Sequence, residues 1–192
     1  MIKISIISER ISQFSVISIV LIYGLLMSEY INIINSKIIE AEIPIMENNQ
    51  IFTLFMSFSF MMTLLSAFVV WLISSFLFHL FAILFGGVAN FKEILKFSAL
   101  CYILPAIIFL IAIVLVESTT FPKENLDFFF SSTKSLVLIK WLIYISSSFC
   151  FIALIPIIKY LYLISWYRAL LSIIIPLGSI YLLGQFFSNY IF

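Results

Sequence analysis

The sequence predicts an all-α polytopic integral membrane protein with five transmembrane helices, and three observations carry that expectation. Hydrophobic residues make up 64% of the chain and charged residues 10%, with a mean hydropathy of +1.25; soluble domains average about 45–50% apolar and about 25% charged. Residues 51–91 contain no Asp, Glu, Lys or Arg, a run that belongs in lipid or in a core larger than this chain can build. Gly86-Gly87 is the one strong break in that run. After it come the patch Phe91-Lys92-Glu93-Ile94-Leu95-Lys96 and a return to apolar sequence up to Pro105. This reads as a span, a tight basic turn at the membrane surface, and a return span.

The elements follow in order along what is expected to be a single transmembrane domain over residues 1–192. A span needs about 20 apolar residues. Residues 11–28 lie uncharged between Arg10 and Glu29 and form the first span. Lys3 and Arg10 ahead of this run resemble a signal peptide, but Ser28-Glu29-Tyr30 is no small-residue cleavage site, so an uncleaved span is expected. Residues 29–50 are polar, with Lys37, Glu40, Glu42 and Glu47, and broken by Pro44 and Asn48-Asn49. Ile31, Ile34, Ile38 and Ile39 keep a helical rhythm, which carries the first helix into that stretch.

Residues 51–85 exceed one span but contain no Gly, Pro or Asn to reverse the chain, and Ser74-Ser75 is a poor substitute. One long helix, tilted or projecting beyond the bilayer, is the expectation. In the patch after Gly-Gly, Phe91, Ile94 and Leu95 share one face of a helical turn and Lys92 and Lys96 another, the pattern of an interfacial helix start. Span three is 97–116 and contains Pro105. A second polar stretch with Pro122 and Asp127 leads to span four, 141–158, which holds Ser146-Ser147-Ser148 and Pro156. Residues 159–168 form a short interfacial connection in which Tyr160, Tyr162, Trp166 and Tyr167 make an aromatic belt. Span five is 169–192, with Pro176 and Gly178. The prolines are expected as helix kinks.

Orientation follows the distribution of basic residues. With the N-terminus cytoplasmic, Lys3, Arg10, Lys92, Lys96, Lys159 and Arg168 lie inside, whereas Lys37, Lys123, Lys134 and Lys140 are spread over longer outer loops rich in Glu. The C-terminus is then outside. The Ile-, Phe- and Ser-rich composition fits an AT-rich bacterial genome, and the cytoplasmic membrane is the expected location.

Little in the spans carries chemistry. A net charge of +1 gives no reason to expect a nucleic-acid partner. His79 is the only histidine, so a bis-imidazole haem or a paired-His zinc site within the chain is excluded. Its functional reading is a proton shuttle or ligand, and its plainer one a side chain satisfied by a neighbouring carbonyl or the headgroup zone. Cys101 and Cys150 lie in apolar runs and read as packing residues. Ser146–Ser148 lack a Gly-x-Ser-x-Gly setting and read as helix-packing residues. Gly86-Gly87 lacks a phosphate-loop pattern and reads as a turn. Asn90 is placed to cap the helix after it. No catalytic residue, cofactor or metal is expected.

His79-Leu80, Leu84-Phe85-Gly86-Gly87, Phe91-Lys92, and Tyr102 shortly before Pro105 resemble the bacterial branch of the Yip family, five-span membrane proteins named for yeast relatives that bind Ypt/Rab GTPases. The soluble N-terminal region of the eukaryotic members, with its Asp-Leu-Tyr-Gly-Pro type motif, has no counterpart in the ten residues before the first span, which argues against a Rab-type partner. For bacterial members the resemblance implies non-enzymatic accessory proteins, some associated with ABC exporters and with resistance to secreted peptide toxins. The expected function is therefore a membrane accessory or scaffold protein that meets the lipid bilayer and a membrane protein partner such as an ABC transporter. The expected contact is the turn of Gly86, Gly87, Asn90, Phe91, Lys92 and Lys96. A small transporter or channel component is the second reading and an intramembrane enzyme the third.

Overall fold

Lipid offers no hydrogen-bond partner to a backbone N–H or C=O, so apolar runs of this length must satisfy their own backbone as helices. The computed structural model describes residues 13–42, 50–121 and 133–190, and within them the chain is helix and turn, with no strand. The helices are α1 (Gln13–Glu42), α2 (Gln50–Leu84), α3 (Phe91–Leu100), α4 (Ile103–Glu117), α5 (Lys134–Tyr162) and α6 (Trp166–Tyr190). Among the described residues four stretches are long and apolar enough to cross a membrane: Ser15–Glu40, Gln50–Leu84, Phe91–Glu117 and Lys134–Tyr162. Trp166–Leu182 is a shorter apolar helix. The protein is an all-α polytopic membrane protein, and its apolar helices contact the bilayer.

The chain divides into two compact units. Of the described residues, one holds 13–16, 70–101 and 150–190; the other holds 17–42, 50–69, 102–121 and 133–149. In the first, Phe78, Ala82, Ile94, Leu154, Ile158, Tyr162, Ala169 and Ile173 form the core. A buried polar cluster joins α2 to α3: Trp71 Nε1 donates to Ser98 Oγ at 3.0 Å, and Ser75 Oγ lies 2.7 Å from Ser98 Oγ and donates to Trp71 O at 2.7 Å. With no hydrophobic effect between helices in lipid, small residues and such bonds supply the attraction. In the second unit, Gly24 brings α1 against α2, since a Cβ there would stand 2.8 Å from Leu64 Cδ1 and 3.3 Å from Ala67 Cβ. Tyr23 packs on Tyr102 and Phe109, with ring centroids at 4.7 and 5.8 Å. Ala112, Val116, Leu136 and Ile139 form a core farther along the same unit.

The long second helix is as expected: α2 is 35 residues without a reversal at Ser74-Ser75. At 1.5 Å per residue it is about 52 Å long, against a hydrocarbon core of about 30 Å. The helical rhythm past Glu29 is also followed, because α1 continues to Glu42. Most of what was expected as a polar outer loop is therefore helix. Pro44, Glu47, Asn48-Asn49, Pro122, Lys123 and Asp127 lie outside the described residues, as do Lys3, Arg10 and Phe192.

The third span, Phe91–Glu117, is interrupted where its proline predicts. It divides into α3 and α4 at Cys101-Tyr102, one turn before Pro105, and both intervening residues keep right-handed helical backbone angles. Pro105 sits in the first turn of α4, where a missing N–H costs no intrahelical bond. In a continuous helix the N–H of residue 105 would serve the carbonyl of Cys101, and proline has none to give. That carbonyl accepts instead from Cys150 Sγ at 2.6 Å. The cysteine pair, expected as packing, thus performs a specific repair: a thiol from α5 satisfies a carbonyl that the proline leaves open. Pro156 and Pro176 lie inside α5 and α6.

Candidate functional site

The expected contact turn lies in the first unit, where α2 ends and α3 begins. α2 is apolar to its last residue, so composition does not stop it; glycine does. Gly86 has φ +88°, a conformation in which a Cβ would clash and glycine is free of that penalty. Gly86 N donates to Ile83 O at 2.8 Å and Gly87 N to Ala82 O at 2.9 Å, the paired bonds of a Schellman end. Gly87 answers a different demand, close approach. A Cβ at Gly87 would stand 2.7 Å from Ala82 O, 2.7 Å from Tyr162 Cδ1 and 2.8 Å from Tyr162 Cβ. Val88 N then donates to Tyr162 O at 3.4 Å, so the turn is held against the end of α5. Asn90 caps α3 as expected, its side chain accepting from Lys92 N at 3.2 Å. Glu93 lies in the first turn of α3, where the helix dipole favours a negative charge.

The structure brings His79 and Phe91 to this turn. His79 Nδ1 lies 2.6 Å from Tyr162 Oη, and the Phe91 ring lies 5.3 Å from the imidazole. The plainer reading of His79 has a concrete form here: its ring satisfies a phenol that has no access to solvent. Tyr162 was expected in the aromatic belt, and the structure corrects this. Its relative exposure is 0%, and it is the residue against which the Gly-Gly turn and His79 both pack. Tyr160, Trp166 and Tyr167 are exposed, as a belt requires.

The two lysines of the turn separate. Lys92 is exposed; Lys96 is half-buried and engaged with its surroundings. Ile94 of the same patch faces the core, at 0% exposure, rather than the membrane surface. Sequence reasoning missed Arg168, whose Nη1 donates to Phe85 O at 3.1 Å and so closes a carbonyl left open at the end of α2. It also missed the place of Lys159, whose Nζ lies 4.8 Å from the Tyr160 ring centroid and 4.4 Å from that of Trp166. A cation within about 6 Å of an aromatic face is attracted by the ring. The signal was present in the alternation of Lys159, Tyr160, Trp166 and Arg168, but only the fold shows which rings the cation meets.

The site is thus a corner of two helix ends with exposed cations and aromatic rings on it. Among the described residues no group of three His, Cys, Asp or Glu side chains is placed to hold a metal ion. The chemistry the corner offers is recognition of negative charge next to an apolar surface. No family model matches the chain, and neither a curated protein nor a solved structure is found to match it.

Proposed function

We propose that this chain is a non-enzymatic accessory protein of a bacterial cytoplasmic membrane that binds a membrane partner through the 86–96 turn, its N-terminus inside. One observation carries the reading: the turn is built by close backbone packing and capping while Lys92 is left exposed at its edge. A cation presented on a backbone that is already fixed suits the acidic surface of a partner, because the turn itself need not be ordered on contact. The resemblance to the bacterial Yip branch supports the same reading. Four of the residues on which it rests lie together at this turn: His79 and Gly87 meet Tyr162, Phe91 packs on His79, and Gly86 lies beside Arg168. An ABC exporter that handles peptide toxins is the partner class which that resemblance suggests.

Lys92→Glu tests it. The side chain is exposed, and an acid in the first turn of α3 is favoured by the helix dipole, so the variant should accumulate and melt like the parent. It should lose the partner that co-purifies with the parent. A variant that keeps the partner makes the turn a mere connector. Orientation is tested separately. A phosphatase active only outside the cytoplasm should be active when fused after Phe192 and silent after Asn90; the reverse pattern overturns the assignment.

A second reading, a small transporter, is favoured by one feature. The third crossing is broken at Cys101-Tyr102, about 15 Å from its start at 1.5 Å per residue, and discontinuous helices near mid-membrane are typical of transporter sites. Solute uptake by proteoliposomes of the purified chain, unaffected by Lys92→Glu, would favour it over the first.

A further inference from the structure

α5 ends as α2 does, with one difference. Ile164 N donates to Lys159 O at 3.3 Å, as Gly87 N does to Ala82 O. Each end also places one residue in the left-handed region: Gly86 at φ +88° and Leu163 at φ +58°. Glycine is unstrained there; a leucine is not, because its Cβ crowds the following carbonyl. Burial does not compensate, since Leu163 is 75% exposed. Its exposed neighbours are Tyr160, Trp166 and Tyr167, rings that favour the headgroup level of a bilayer. An apolar side chain held in a strained conformation at the tip of an aromatic turn gains by entering lipid.

The same turn is cationic. Residues 159–168 include Lys159 and Arg168 and no acid. Lys159 is held beside two rings. Arg168 gives one N–H to Phe85 O, and a guanidinium with five donors has others to spare.

We propose that the 159–168 turn is a binding site for an anionic phospholipid, with Leu163 at the headgroup–acyl boundary, Tyr160, Trp166 and Tyr167 around it, and Lys159 and Arg168 on the lipid phosphate. Lipid is favoured over a soluble phosphate because the cations share the turn with exposed apolar and aromatic groups that a soluble anion would leave in water. Basic side chains near an anionic leaflet each contribute roughly a fivefold preference, so the two give about thirtyfold. The site is independent of the protein partner proposed above and of the orientation in the membrane.

The test uses the full chain carrying Trp141→Phe, so that Trp166 is the exposed tryptophan while Trp71 is buried. It is reconstituted in phosphatidylcholine vesicles containing a small fraction of brominated phosphatidylglycerol or of brominated phosphatidylcholine. Quenching of Trp166 should be clearly stronger with the anionic lipid, and Lys159→Gln with Arg168→Gln should remove the difference. Leu163→Gly should raise the melting temperature in detergent, by relieving the left-handed leucine, while weakening quenching by both lipids. Equal quenching of the parent by the two lipids overturns the proposal. So does a preference that survives the double substitution, or quenching unchanged by Leu163→Gly. Loss of the preference on adding millimolar inorganic phosphate at constant ionic strength would assign the cations to a soluble anion and also overturn it. A Lys92→Glu protein should keep the lipid preference, which separates this result from the fate of the partner-binding reading.

Discussion

Gly87→Ala is expected to destabilise the protein by about 3 kcal/mol, at the upper end of overpacking costs. The added Cβ would stand 2.7 Å from Ala82 O and 2.7–2.8 Å from two atoms of Tyr162. None of these is the free end of a flexible chain. Ala82 O is the acceptor of the Gly87 N–H bond that ends α2, and Tyr162 is wholly buried with its hydroxyl on His79. Relief therefore means parting the Gly-Gly turn from the end of α5. Thermal unfolding in detergent measures the cost, and Gly178→Ala is the control. Gly178 is a helical glycine with no neighbouring atom within 4 Å of an added Cβ, so alanine there should be neutral or stabilising by up to about 1 kcal/mol. Equal melting of Gly87→Ala and parent would show that this turn is not closely packed.

Lys37→Met is expected to cost about 2 kcal/mol, from a residue that the sequence places only in a polar stretch after the first span. Lys37 Nζ donates to Val116 O at 2.8 Å, Glu117 O at 2.8 Å and Thr119 O at 2.6 Å, and lies 5.7 Å from the Phe121 ring centroid. The last carbonyls of a helix have no intrahelical donor, and a cation there also meets the negative end of the helix dipole. Hydrogen bonds to charged groups contribute about 1.5–3 kcal/mol each, but three sharing one partly solvated ammonium do not add. Methionine keeps the length and apolar stem of lysine and removes only the donors. Arginine should not restore the parent value, because its planar fork cannot aim three donors at converging carbonyls as an ammonium does. The measurement is thermal melting, with limited proteolysis near Thr119 as a local readout. A Lys37→Met protein with parental melting and parental cleavage would assign these bonds no share in stability.

What the sequence determined by itself was set by local physics. A charge-free run must satisfy its own backbone in lipid, which makes helices. The absence of Gly, Pro and Asn keeps α2 unbroken, Gly86 supplies the left-handed residue that ends it, and Asn90 caps α3. None of these needs a distant residue. Tertiary structure alone decided which side of each helix turns inward. In a soluble helix polar residues mark the outer face, whereas here the lipid-facing and core-facing sides are both apolar. Tyr162 therefore reads like the exposed Tyr160 although it is buried, and Ile94 like a membrane-surface residue although it lies in the core. The break at Cys101-Tyr102 likewise needed a thiol from α5 to serve the carbonyl that Pro105 cannot. Lys37 found its use only where the fold brought α1 beside the open end of α4. In each of these cases the deciding partner is remote in the chain, and an apolar helix carries no mark of which neighbour it will meet.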